Sequence, residues 1–195
     1  MALELVPLTA AHCDEYLAFM DRAFADNPAW SGCYCAFYDD PCPTEQWNPA
    51  PSAGPEHRAF RQAHIRSGRA HGLLALDRGK IVGSCNAGPR AAFGNLRIFA
   101  AAVEDPAEPV GSIMCFVIDP GRRREGIATE LLAGAERRFR ELGLTHSEAY
   151  PRAVPPNPEF PVTAAYYKGS PAMYERGGYS LVRSYDRFNC VRKRL

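Results

Sequence analysis

Three arginines, Arg122, Arg123 and Arg124, run into Glu125, Gly126, Ile127, Ala128 and Thr129. Guanidinium groups suit phosphate oxygens because their planar fork of N–H donors matches the anion's geometry. Gly126 has no Cβ to keep a ligand off the backbone, and Ala128 keeps the next contact small. The flanking residues say how such a loop would be held. Residues 113–118 are continuously apolar and stop at Asp119-Pro120, which suits a strand buried on both faces. From Ile127, apolar residues recur at Leu131, Leu132, Ala135, Phe139 and Leu142, one stripe of a helix that Gly143 would cap. Glu130, Glu136, Arg137, Arg138 and Glu141 fall on its other face. A strand, a tight turn and a helix N-terminus in succession aim free N–H groups and the positive end of a helix dipole at the loop. They predict a bound pyrophosphate or similar anion; the alternative is a charged connection that binds nothing.

Arg123, Gly126 and Ala128 have the form Arg-x-x-Gly-x-Ala, which resembles the acetyl-CoA motif of the GNAT superfamily of N-acetyltransferases. The preceding Phe-Val-Ile-Asp-Pro and the following Leu-Leu match the family's central strand and helix. Residues 173–179, Met-Tyr-Glu-Arg-Gly-Gly-Tyr, are similar to the family's Phe-Tyr-Glu-Lys-x-Gly-Phe. The resemblance covers nearly the whole chain and is strongest from Ile113 to Tyr179. It implies acetyl-CoA as cofactor, held by Arg123, Arg124, Glu125, Gly126, Ile127, Ala128 and Thr129, with Thr129 offering the phosphate a hydroxyl. It implies that the fourth and fifth strands splay apart, so that the backbone of Phe116, Val117 and Ile118 pairs with the pantetheine arm. It also places Tyr174 on the general acid that protonates the departing thiolate; the alternative is a half-buried packing tyrosine. One departure stands out. Many relatives have an Asn seven residues before that tyrosine, where this chain has Tyr167, so that cofactor contact is not carried over.

A second chemical segment is the aromatic loop from Trp30 to Cys42. In the resembled fold the segment between the first two helices lines the acceptor site. Trp30, Tyr34, Phe37 and Tyr38 would form its wall, and Asp39 or Asp40 would attract an amine; the alternative is a lid packed on the core. Cys33, Cys35 and Cys42 lack the paired spacing of structural zinc sites, so no metal is expected. A thiol nucleophile there would need a base that no pattern supplies. The general base is left open among Glu148, His146, Asp39 and Asp40, while His64 and His71 read as surface or packing residues.

At 195 residues, 46% hydrophobic, 23% charged and with net charge +1, the chain suits one soluble domain over 1–195 and argues against nucleic-acid binding. No apolar stretch is long enough to span a membrane, and the N-terminus does not read as a signal peptide. Cys13, Cys85, Cys115 and Cys190 read as buried reduced thiols of a cytoplasmic protein.

The remaining elements follow from patterning. Residues 3–8 read as an edge strand, since Pro7 cannot donate to a central ladder. Thr9 would cap a helix striped by Cys13, Tyr16, Leu17, Met20 and Phe24. A second helix is expected over 56–68, then strands over 72–76 and 80–86 joined at Asp77-Arg78-Gly79. Residues 97–103 read as an extra strand or a loop, 105–109 as a turn, 146–150 as the fifth strand, 152–162 as a proline-rich insertion, and 180–186 and 187–192 as the last strands. The expected fold class is α/β (α+β): the GNAT fold, with a central mixed, mostly antiparallel twisted sheet of six or seven strands flanked by about four helices. The expected function is direct transfer of an acetyl group to a primary amine of a small molecule or peptide, with a homodimer left open. A non-catalytic acyl-CoA sensor, or a redox or metal protein built on the cysteine loop, are the competing readings.

Overall fold

The computed structural model describes residues 3–39, 46–48, 50–96, 108–153 and 166–195. Its strands are β1 (Glu4–Pro7), β2 (Leu73–Asp77), β3 (Lys80–Pro89), β4 (Val110–Ile118), β5 (His146–Ala149), β6 (Ser180–Ser184) and β7 (Asn189–Arg194). Its helices are α1 (Cys13–Ala23), α2 (Gly54–Arg66), α3 (Ile127–Glu141) and α4 (Pro171–Arg176), with short 3-10 turns between. The strands form one sheet in the order β1-β2-β3-β4-β5-β7-β6. Every neighbouring pair is antiparallel except β4–β5. This is the GNAT-like architecture expected from the sequence.

Local chemistry explains the parts that position the site. Arg78 and Gly79 both take left-handed φ values, 50° and 75°, and close β2 onto β3 as a two-residue hairpin. β4 is buried on both faces from Val110 to Val117. Its register against β3 steps from Asn86↔Cys115 to Ala87↔Ile113, leaving Met114 as the extra residue of a bulge. Beyond the bulge, Phe116 joins the cluster under α3 and α4, whereas Cys115 and Val117 join the cluster under α1 and α2. Parallel pairing with β5 runs only from Val110↔His146 to Ile113↔Ala149. The sheet therefore divides beyond residue 113, with the last five residues of β4 past the end of β5.

Several expectations are corrected. Thr9 caps nothing: a 3-10 turn, Ala10–His12, precedes α1, and the Thr9 hydroxyl bonds His12 Nδ1 at 3.0 Å. α2 starts at Gly54, two residues before the expected start, because Pro55 fits its first turn. Glu136, placed on the exposed face of α3, is buried and receives the Lys193 ammonium at 2.7 Å. β7 covers that face, which the helix's own periodicity does not reveal. The expected element at 97–103, most of the turn at 105–109, most of the insertion at 152–162, and Asp40 and Cys42 lie outside the described residues. No helix among the described residues is long and apolar enough to cross a membrane.

Candidate active site

The anion loop sits between β4 and α3, as its sequence required. Gly126 is the N-cap of α3 at φ 85°, and Arg124 is also left-handed at φ 69°. Such alternation turns successive N–H groups toward one concavity that suits an anion. A Cβ built on Gly126 would meet nothing within 4 Å, so the space before the backbone is open. The arginines are less available than the sequence suggests. Arg122 bonds Asp77 and Glu125, both at 2.8 Å, and Arg123 is paired with Asp26 just after α1. Arg124 and Thr129 are exposed. Backbone N–H groups, the helix dipole and the exposed Arg124 are thus the groups left to meet a phosphate, and the cradle fits the pyrophosphate of CoA.

At the division of the sheet, two donors converge. The Phe116 N–H donates to the Tyr167 carbonyl at 2.6 Å. The Tyr174 hydroxyl donates to the next carbonyl, that of Lys168, at 2.6 Å. Tyr174 is held by α4, whose Ser170 side chain caps the Met173 N–H at 3.2 Å, and its ring meets Tyr179 edge-on with centroids 5.1 Å apart. Burial holds the Tyr174 hydroxyl pKa well above its ordinary value, so it stays a proton donor. Val117 is buried beside Phe116, and Ile118 is half-buried at the mouth of the loop.

The aromatic segment covers the other face. Trp30 stacks at a tilt on Tyr167, 5.3 Å between centroids, and Phe37 packs on Tyr38 and Trp47 at 4.9 and 5.2 Å. Tyr34 and Cys35 are both left-handed, at φ 46° and 50°, a sharp reversal that costs energy in non-glycine residues. It is pinned by Asn86 Nδ2 to the Cys35 carbonyl at 3.1 Å and by the Tyr34 hydroxyl to Asp21 at 2.6 Å. The Tyr34 hydroxyl therefore points to α1. The Asp39 side chain is fully buried, in an ion pair with Arg61 and accepting from Asn86 Nδ2 at 3.5 Å. Its charge is offset by the chain itself.

The remaining base candidates are also engaged. Glu148 is buried, accepts the Tyr150 hydroxyl, and takes Arg192 at 2.6 and 2.9 Å. His146 Nδ1 lies 2.9 Å from the Thr145 hydroxyl and 3.7 Å from Glu108. Burial lowers the pKa of the His64 imidazole. Burial also pushes the Cys33 thiol up to about 12, while Cys35 is raised well above its ordinary value by a hydrogen bond with Cys115 and by burial. Both thiols are held protonated, which is a poor start for a nucleophile or a metal ligand.

The acetyltransferase (GNAT) family model matches residues 33–158, well over half of the chain. The chain belongs to this family. As a GNAT protein it is an acyltransferase whose cosubstrate is acetyl-CoA. No curated protein matches its sequence significantly. Solved structures share the fold across almost its full length. The PaiA N-acetyltransferase of Thermoplasma acidophilum, in complex with coenzyme A, has TM-score 0.54 at 11% identity, covering 100% of both chains. A Drosophila melanogaster polyamine N-acetyltransferase that forms N-acetylagmatine has TM-score 0.57 at 15%, covering 98% of this chain and 100% of that one. A Brucella melitensis ribosomal-protein-alanine N-acetyltransferase has TM-score 0.56 at 18%, covering 99% and 100%. At such identities the GNAT likeness is one of fold.

Sequence reasoning missed two features of the GNAT cleft. One is Lys168, buried beside the two donors. The other is the ring set around it, which includes Tyr150 and Phe188. The signal present was Tyr166-Tyr167-Lys168, a lysine directly after aromatic residues, which periodicity cannot tell from a surface loop.

Proposed function

We propose that the protein acetylates a primary amine by direct transfer, with acetyl-CoA and the acceptor bound together. The observation that carries this reading is the convergence of the Phe116 N–H and the Tyr174 O–H at the open side of β4. One is a backbone donor suited to an acyl oxygen; the other is a buried hydroxyl kept protonated by its surroundings. Acetyl-CoA, when bound, supplies a thioester acyl group. The N-terminus of α3, with Gly126, Ile127, Ala128 and Thr129, holds its pyrophosphate, and Arg123, Arg124 and Glu125 shape the rim. Phe116, Val117 and Ile118 offer backbone to its pantetheine arm. The acceptor nitrogen, as the neutral amine, forms the new C–N bond as the C–S bond breaks. Tyr174 gives its proton to the sulfur, and the ammonium proton leaves through water. Much of the rate gain is then positioning. Trp30, Tyr34, Phe37 and Tyr38 wall the acceptor side, and the Asp39–Arg61 pair anchors that segment on α2. Among the described residues, six buried cysteines without disulfides suit a reducing compartment such as the cytoplasm.

The test is a thermal-shift scan with acetyl-CoA and with zinc, followed by thiol release with a panel of amines. Acetyl-CoA stabilisation with amine-dependent thiol release supports the reading. Stabilisation without thiol release from any amine identifies a sensor, and stabilisation by zinc alone a metal protein.

A further inference from the structure

Lys168 is only 1% exposed. Its ammonium nitrogen lies 4.4 Å from the ring centroid of Tyr38, 5.3 Å from Phe188, 5.4 Å from Tyr167 and 5.6 Å from Tyr150. These rings come from the aromatic lid, the β6–β7 turn, the approach to α4 and the end of β5. Ring faces within about 6 Å attract a cation, and several around one nitrogen make an ammonium box. The arrangement is not the cheapest way to fill that volume. Burial lowers the Lys168 pKa to about 8, so the charged form is held at a cost that a methionine of similar length would avoid. The same short stretch supplies the Tyr167 carbonyl to the Phe116 N–H and the Lys168 carbonyl to the Tyr174 hydroxyl. One loop thus offers a carbonyl to the acyl-oxygen donor, an acceptor atom to the acid, and an alkylammonium to a box of rings. An acylation of an amine must satisfy the same three places.

We infer that residues 166–169 act as an internal stand-in for the substrates, and that the acceptor which takes the place of Lys168 in the box is a primary ammonium on an unbranched aliphatic stem, the chemistry shared by diamines and lysine side chains. This rests on the acetyltransferase reading above. Calorimetry without acetyl-CoA tests the box alone, with 1,5-diaminopentane as probe and pentan-1-ol and aniline as controls. Lys168→Ala, which clears both the charge and the stem from the box, should bind the diamine about tenfold more tightly than the wild type, the scale of a desolvated cation–π contact. Neither control should bind. In turnover, 1,5-diaminopentane and Nα-acetyl-lysine amide tell a free diamine from a lysine side chain, and either should outperform aniline and branched amines. Should Lys168→Ala fail to fold, Phe188→Leu decides: the KM of the preferred straight-chain amine should rise about tenfold with acetyl-CoA affinity unchanged. Equal diamine affinity in wild type and Lys168→Ala, an unmoved KM in Phe188→Leu, or a preference for aromatic or branched amines would overturn the inference. If acetyl-CoA binding and thiol release persist in those cases, the acetyltransferase reading stands. If they are absent with every amine, that reading fails, and the calorimetric arm still decides the box.

Discussion

The Tyr174 hydroxyl and the Lys168 carbonyl are joined by a 2.6 Å hydrogen bond six residues apart in sequence, in a part of the cleft closed to solvent. Replacing the tyrosine by phenylalanine removes the donor and keeps the ring against Tyr179. Tyr174→Phe should retain acetyl-CoA affinity and lower kcat by about a hundredfold, the scale for a positioned acid. Because burial raises the Tyr174 pKa well above 10, protonation is not lost until the pH passes that raised value. Any high-pH fall in the wild-type rate that belongs to this group should begin above the ordinary tyrosine range and be missing in the mutant. An unaltered rate and pH profile would transfer the role to water.

Gly126 separates two effects. Its φ of 85° makes any side chain strained by about 1–2 kcal/mol, yet a Cβ there would touch no neighbour. Gly126→Ala should therefore fold with a modest loss of stability. In the wild type, acetyl-CoA at a hundredfold excess over its Kd should stabilise by about 2.7 kcal/mol. That gain should be largely lost in the alanine variant and absent in Gly126→Val, as measured by thermal shift. Full retention in both would remove the loop from the cofactor site.

Lys168 carries a pH signature in stability. Its folded pKa, about 8, lies below the unfolded value of 10.5. Between these values the unfolded chain binds more protons, so this group makes stability rise with pH across about 8 to 10.5 and leaves a constant penalty below 8. Lys168→Met should raise Tm at pH 7, with the advantage shrinking as pH climbs through that window. A difference that does not change with pH would mean that the ammonium is not desolvated.

Glu148 should behave as a structural anion. It meets Arg192 at 2.6 Å and Arg90 at 3.6 Å while fully buried. Glu148→Gln leaves those cations under-compensated and should cost about 3–5 kcal/mol in denaturant unfolding. The pH profile of the remaining activity should keep its shape. Loss of an acid limb with stability intact would restore Glu148 as the base.

What the sequence made legible is what local periodicity and spacing encode. The run from Ile113 to Leu142 gave strand, loop and helix because three adjacent patterns change at Asp119 and Gly126. The Tyr-Glu-Arg-Gly-Gly string placed Tyr174 only through its resemblance to the GNAT segment, since the six residues of α4 are too few to show a periodic stripe. The pairings that set the electrostatics were hidden because they join distant positions: Asp39 with Arg61, Glu148 with Arg192, Glu136 with Lys193. Each residue alone looks like a solvated charge. The ring box was hidden for the same reason, since Tyr38, Tyr150 and Phe188 meet only after the sheet is built.

The single parallel pairing in the sheet has a kinetic meaning. The β2–β3 hairpin closes through two residues and β4 adds to it without a partner from beyond α3, so these strands can assemble early. Pairing of β4 with β5 must wait until the intervening α3 crossover is in place. The cleft is defined by where that pairing ends. It therefore does not exist in a chain that has only its first four strands, and acetyl-CoA can trap the finished fold but cannot template the early one.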